Sequence, residues 1–200
     1  VTLPRGPFQL IYADPPWQTV MFNGATRTPT QRRGPDHYRT MPLDELRSLP
    51  VRRIAADDAV LALWGIGSHL DQMFMLADAW GFSFVTDLFY WAKQRLVDAM
   101  VIDPRTGDIP EPRISMGYYT RKQVEPCWLF KRGKGLPVCS HSVRQLIIAP
   151  PREHSRKPEQ AAEGLEQLFG DVTRLELFSR TPRAGWTAWG NEAGKYEAAV

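Results

Sequence analysis

The sequence predicts an α/β protein whose mostly parallel central sheet is covered by helices on both faces. Three observations carry that expectation. Short, largely apolar runs recur along the chain, as in strands buried on both faces. Between them lie segments with apolar residues at helical spacing. Turn residues, 17 Pro and 15 Gly in 200 positions, punctuate the junctions.

Residues 8–13 form the first apolar run, stopped at once by Pro15 and Pro16, and read as a buried strand. Residues 18–39 are polar and hold Gly24, Gly34, Pro29 and Pro35, which predicts a long loop. A short helix should follow, with Pro42 in its first turn and Asp44 and Glu45 where the helix dipole favours acids. Residues 59–64 predict a second strand. Ser68 with Asp71 reads as a capping signal for a helix ending before Gly81, with Leu70, Met73, Phe74, Ala77 and Trp80 as its inward stripe. Residues 82–91 predict a third strand, and 93–120, with Pro104, Gly107, Pro110 and Pro112, a second long loop. Residues 124–130 and 145–149 are further strand candidates. Pro158 should open a helix that runs to Phe169, turns Leu165, Leu168 and Phe169 inward and stops at Gly170. Residues 175–178 predict a last strand.

Composition narrows the function classes. A chain with 43% hydrophobic and 24% charged residues fits one globular domain over residues 1–200, not a disordered one. Its longest apolar run, 59–64, is far short of the roughly 18 residues that span a bilayer. Nothing at the start resembles a signal peptide, so a soluble cytoplasmic protein is expected. Cys127 and Cys139 stand twelve positions apart, which suits neither a zinc site nor a disulfide framework. His37, His69, His141 and His154 have no ligand spacing either, so no metal is expected.

The net charge of +3 is unevenly spread. Residues 113–157 hold ten Lys and Arg against Glu125 and Glu153, a balance of +8. Residues 18–39 add +3 more, which leaves the rest of the chain at −8. Two basic segments on an acidic body point to a polyanion surface. The candidate phosphate contacts are Arg27, Arg32 and Arg33 in the first segment, and Arg113, Arg121, Lys122, Lys131, Arg132 and Lys134 in the second. Scattered arginines on a solvated face are the plainer reading.

The chemistry is concentrated in Asp14-Pro15-Pro16-Trp17, directly after the first strand, where open α/β sheets bind ligands. An exocyclic nucleobase amine is a poor nucleophile because its lone pair is delocalised into the ring. The Asp14 carboxylate can accept one N–H and the Pro15 carbonyl the other, which aims the lone pair at an electrophile. Trp17 can stack on an extruded base, worth about 1–3 kcal/mol. The plainer alternative makes Asp14 a turn cap and Trp17 core. By composition alone the tetrad arises in roughly one chain of this length in several thousand.

Around it, seven blocks resemble the MT-A70 adenine-N6 methyltransferases, particularly compact bacterial and phage members. They are Ile11 to Trp17; His37 to Met41; Leu61-Ala62-Leu63-Trp64; Met116-Gly117-Tyr118-Tyr119 with Gln123-Val124-Glu125; His154-Ser155-Arg156-Lys157-Pro158; Leu175 to Arg180; and Gly185 to Glu192. The resemblance implies a Rossmann-like S-adenosylmethionine-dependent methyltransferase fold with permuted motif order, in which the catalytic tetrad precedes the main cofactor elements. That order accounts for the lack of a G-x-G-x-x-G after the first strand. It implies S-adenosylmethionine as methyl donor, held by Asp14, with Lys157 on its carboxylate and Arg180, Asn191 and Glu192 around its ribose and amino-acid end. Two departures stand out. Only seven residues precede the first strand, so contacts to the donor's adenine that larger relatives draw from upstream should come from elsewhere. Thr181-Pro182-Arg183 also replaces the family's frequent asparagine or histidine after the arginine.

The resemblance implies a bacterial or phage enzyme acting on nucleic acid, DNA before RNA, by base extrusion. With no segment large enough for a separate recognition domain, specificity should be short or supplied by a partner subunit or second copy. A non-catalytic nucleic-acid-binding subunit is the rival reading. It fits less well, because such partners usually lose the tetrad and the cofactor residues present here.

Overall fold

The computed structural model describes residues 2–18, 40–94, 114, 119–152 and 156–195. The expected loops at 18–39 and 93–120 fall almost entirely outside these residues. So do Arg27, Arg32, Arg33 and Arg113.

Seven strands form one sheet: β1 (Phe8–Ala13), β2 (Ala55–Trp64), β3 (Ser83–Lys93), β4 (Val124–Arg132), β5 (Leu146–Ala149), β6 (Arg174–Leu177) and β7 (Trp186–Trp189). Their order is β5-β3-β4-β2-β1-β6-β7. All run parallel except β4, which is antiparallel to both its neighbours. The sheet is thus mostly parallel, as expected, with one reversed interior strand. Because β3 ends and β4 begins at the same edge, no crossover helix is needed between them. β1 keeps the bounds its apolar run predicts, and four of its six residues are in contact with partners on both β2 and β6.

Alternate side chains of the central strands enter two cores. Ile11, Ala13, Leu61, Leu63, Leu175 and Leu177 meet Leu46 of α1 (Leu43–Ser48) and Met73, Leu76 and Ala77 of α3 (Leu70–Ala79). Leu10, Tyr12, Val60, Ala62 and Trp64 meet Ala161, Ala162, Leu165 and Phe169 of α4 (Glu159–Phe169). Three fully buried indoles also satisfy their N–H: Trp64 on the Tyr12 hydroxyl at 2.8 Å, Trp80 on the Leu46 carbonyl at 3.0 Å, Trp91 on the Ala149 carbonyl at 2.9 Å. Left unpaired, each would cost about 1–3 kcal/mol.

Three local expectations are corrected. Ser68 does not cap α3: its hydroxyl bonds the neighbouring His69 Nδ1 at 2.9 Å, and Gly67–His69 forms a 3-10 turn ahead of the helix. Leu70 and Phe74 are 37% and 38% exposed, so Leu76 joins Met73, Ala77 and Trp80 in the inward stripe instead. α2 (Val51–Ile54) and β7 were not foreseen, and β2 starts four residues before the predicted run. Pro158 and Gly170 bracket α4 as expected, Gly170 with φ +66°.

Candidate active site

The reversed β4 decides what the active edge contains. At that edge the parallel strands end and β4 begins. β1 delivers Asp14, β2 Trp64, β3 Lys93 and β4 Glu125. The segment after β5 brings Lys157, the turn after β6 brings Phe178 and Arg180, and the turn after β7 brings Asn191 and Glu192. The chain lays β2 on one side of β1 and later returns β6 to the other, so β1 sits at a topological switch point where ligands bind.

The tetrad is shaped by its own backbone. The Trp17 amide donates to the Pro15 carbonyl at 2.8 Å, and the Met41 amide donates to the Pro16 carbonyl at 2.8 Å. The Pro15 carbonyl therefore keeps one lone pair for a second donor. Trp17 is only 5% exposed, with its indole N–H on the Trp64 carbonyl at 3.2 Å, so it packs as core in this conformation. The stacking expected of it would need that ring uncovered. His69 is scaffold: Nδ1 faces the Ser68 hydroxyl, and Nε2 donates to the Gln18 carbonyl at 3.1 Å, which fixes the chain just after the tetrad.

On one side of Asp14 lies a chain of charges. The Lys157 ammonium is 2.7 Å from Asp14 Oδ2 and 3.4 Å from Glu125 Oε2, and lies 5.4 Å over the Trp64 ring. Lys93 pairs with the other Glu125 oxygen and stands over Trp91. Burial raises the Asp14 carboxyl above the ordinary carboxylate value, opposed by Lys157. Burial also pulls Glu125 upward, but the ammonium groups of Lys157 and Lys93 overcome it and hold Glu125 at about 2. Neither Glu125 nor Lys93 was singled out from sequence as a site residue. The signal was the position of Glu125 within a recognised block.

On the other side Asp14 opens into a cleft of about 380 Å³. Met41, Glu45 and Leu49 line it from α1 and its flanks, and Phe178, Arg180, Trp189, Asn191 and Glu192 from β7 and the turns after β6 and β7. Phe178 is a non-glycine residue in the left-handed region, φ +62°, and packs edge-on against Trp189 at 5.7 Å. Such a conformation persists only where surroundings over-determine it. Here β7 does so: a Cβ on Gly190 would lie 2.9 Å from the Ser179 carbonyl oxygen and 3.0 Å from the Phe178 backbone. Arg180 Nε lies 3.3 Å from Glu192, which Lys195 also contacts at 2.5 Å.

The structure thus brings together Asp14, Pro15, Pro16, Trp17, Lys157, Arg180, Asn191 and Glu192. Arg121 and Lys122 stand just before β4 at the same edge. Lys131, Arg132 and Lys134 do not, because β4 carries them to the opposite edge, about 23 Å away from Glu125 at the rise of a strand. There Arg132 binds the Arg52 and Ala55 carbonyls, and the Lys134 amide binds Asp58. Among the described residues no three His, Cys, Asp or Glu converge as a metal site.

Comparison with known proteins settles the family. The MT-A70 family model matches residues 8–192. The chain belongs to the MT-A70 family. It is 33% identical over 204 aligned residues to the type II methyltransferase M.MunI of Mycoplasma sp., covering 95% of this chain and 79% of that protein. It is 28% identical to the probable N(6)-adenosine-methyltransferase MT-A70-like protein of Oryza sativa subsp. japonica, over 94% of this chain and 23% of that one. It is 26% identical to the N(6)-adenine-specific methyltransferase METTL4 of Homo sapiens, over 96% of this chain and 39% of that one. The MT-A70 match therefore spans most of the bacterial protein but under half of either of those two larger relatives. No helix among the described residues is long and apolar enough to cross a membrane.

Proposed function

We propose that this chain transfers a methyl group from S-adenosylmethionine to the N6 amine of adenine in nucleic acid, with DNA preferred to RNA. The observation that carries the reading is Asp14, placed between the charge chain of Lys157, Glu125 and Lys93 and a nucleoside-sized cleft with two aromatic rings. Sites for such ligands join apolar surface to convergent polar groups, and this cleft combines the two. Three carboxylates, from Asp14, Glu45 and Glu192, line it against the one guanidinium of Arg180. That balance suits a donor carrying a net positive charge and favours it over its neutral product. The switch-point site and the mostly parallel sheet support a Rossmann-like methyltransferase fold with permuted order.

When bound, the donor supplies an electrophilic methyl carbon on a sulfonium. In this reading Asn191 and Glu192 meet its ribose hydroxyls, Arg180 sets Glu192, and Lys157 serves both Asp14 and the donor's carboxylate. Asp14 accepts one N–H of the target amine and the Pro15 carbonyl accepts the other, so the nitrogen lone pair is held toward the methyl carbon. With the donor bound, transfer would make the C–N bond at the expense of the donor's C–S bond, and the amine's extra proton would pass to water. Arg121 and Lys122, at the same edge, are placed to meet phosphates. The DNA preference rests on the 79% span of a bacterial type II methyltransferase, against 23% of a relative named for adenosine.

The test is methyl transfer from labelled S-adenosylmethionine to duplex DNA, single-stranded DNA and RNA, beside Asp14→Ala. Label recovered as N6-methyladenine in DNA, and lost in the variant, is expected. Label found only in RNA would reverse the substrate preference. Donor binding without transfer to any polymer would favour a binding subunit.

A further inference from the structure

We propose that Glu45 reads the purine of the methyl donor and selects its exocyclic amine. The proposal deepens the reading above and rests on it. Glu45 in α1 and Leu49 at its C-cap are four apart and share one face, and Met41 reaches the same cleft from the extended chain before the helix. All three line the cleft together with Phe178 and Trp189. The space between two aliphatic side chains and two aromatic rings suits a flat heterocycle. The polar groups for hydroxyls and charges, Arg180, Asn191 and Glu192, come from the turns after β6 and β7.

A purine in that slot must satisfy its polar edge or lose the hydrogen bonds it made in water. On the α1 wall the polar lining side chain is Glu45. A carboxylate accepts hydrogen bonds and donates none, so it favours an edge that donates. The 6-amine of adenine donates, whereas a 6-oxo purine puts a carbonyl oxygen at that position and moves its donor to N1, so a carboxylate set at the 6-position loses its partner. An unpaired buried polar group is the contrast on which sites discriminate strongly.

The wall is rigidly held. Leu46, beside Glu45, is fully buried, and its carbonyl accepts the Trp80 indole N–H at 3.0 Å. The Glu45 carbonyl accepts the Ser48 hydroxyl at 2.7 Å, and the Met41 amide is tied to Pro16 of the tetrad. The base-reading wall and the catalytic turn are therefore one unit.

The experiment compares two ligands that lack a transferable methyl: S-adenosylhomocysteine and its 6-oxo analogue, S-inosylhomocysteine. Affinities for the wild type and Glu45→Gln are measured by calorimetry, with thermal melting as the check on folding. The wild type should bind the 6-amino ligand at least about tenfold more tightly than the 6-oxo ligand. In Glu45→Gln the ratio should fall to within about threefold, because a carboxamide can accept from the amine or donate to the oxygen. Glu45→Asp, which keeps the charge and shortens the reach, should weaken binding of the 6-amino ligand while keeping the preference for it. An unchanged ratio in a folded Glu45→Gln variant overturns the role of Glu45 and leaves the methyl-donor reading standing. Failure of the wild type to bind either ligand removes both.

Discussion

In the proposed reaction Asp14 is ionised so that its carboxylate can accept a hydrogen bond from the target amine, yet burial raises its pKa. Lys157 is the main group that opposes this shift, while Glu125 adds to it. The two neighbours therefore have opposite signs in a rate profile. Lys157→Met should move the acid limb of kcat/KM to higher pH, since Asp14 would then need a higher pH to ionise. Glu125→Gln should move it to lower pH, because a negative neighbour is removed and Lys157 is left to Asp14. Both variants should lower the plateau, because either change strands a charge in a partly buried chain. A pH–rate series on methyl transfer checks both directions at once, and limbs that shift together would sink the assignment. Asp14 and the tetrad were legible as residues because rare types stood together after a strand. Glu125 was marked only by its place in a block that resembles the family, since a lone acid inside a strand carries no local pattern until its neighbours across the sheet are known.

Among the elements, β1 and α4 were the most legible: a largely apolar run stopped by Pro15 and Pro16 marked one, and Pro158 with Gly170 framed the other. The direction of β4 could not be read, because an apolar run pairs equally well either way. β7 is four residues long and is held by its contacts with β6, which no local pattern reports. Its junction with Phe178 yields an element-scale prediction. In Gly190→Ala the new methyl would press on the Ser179 and Phe178 backbone, which cannot fold away as a flexible side chain could. Stability should fall by about 1–3 kcal/mol, and the wall of the cleft should shift with it. Gly67→Ala is the matched control, since a Cβ there meets nothing within 4 Å. Denaturant unfolding of both, with S-adenosylhomocysteine affinity, separates them: equal behaviour would mean that β7 does not hold Phe178 in place.

At the scale of the whole molecule, the basic segment of the sequence is divided by the fold. Residues adjacent along the chain, Arg121 and Lys122 against Lys131 to Lys134, end at opposite edges because one strand runs between them. Charge that does converge comes from distant positions and is buried, and this sets the dependence of stability on pH. Glu176 of β6 lies beside Arg183 at 3.5 Å, yet burial and then the nearby Asp14 push its carboxyl up to about 7 from 4.5. Between those values the native protein holds a proton that the unfolded chain has released. Its contribution is therefore full below 4.5 and is lost as pH rises through 7. Glu125, held at about 2, acts in the other window: its contribution is present above 4.5 and is lost as pH falls toward 2. From these two groups stability should peak near pH 4.5 to 5 and decline toward neutrality, by about 3 kcal/mol from Glu176. Glu176→Gln should flatten the decline between 4.5 and 7 and leave the acid limb intact, because the amide does not titrate and Glu125 is untouched. Urea unfolding at pH 3, 4.5, 6 and 7 reads both limbs. A wild type whose stability rises from 4.5 to 7, or a variant that keeps the wild-type slope there, would mean that Glu176 is ionised in the native state, with Arg183 and Arg156 outweighing its burial.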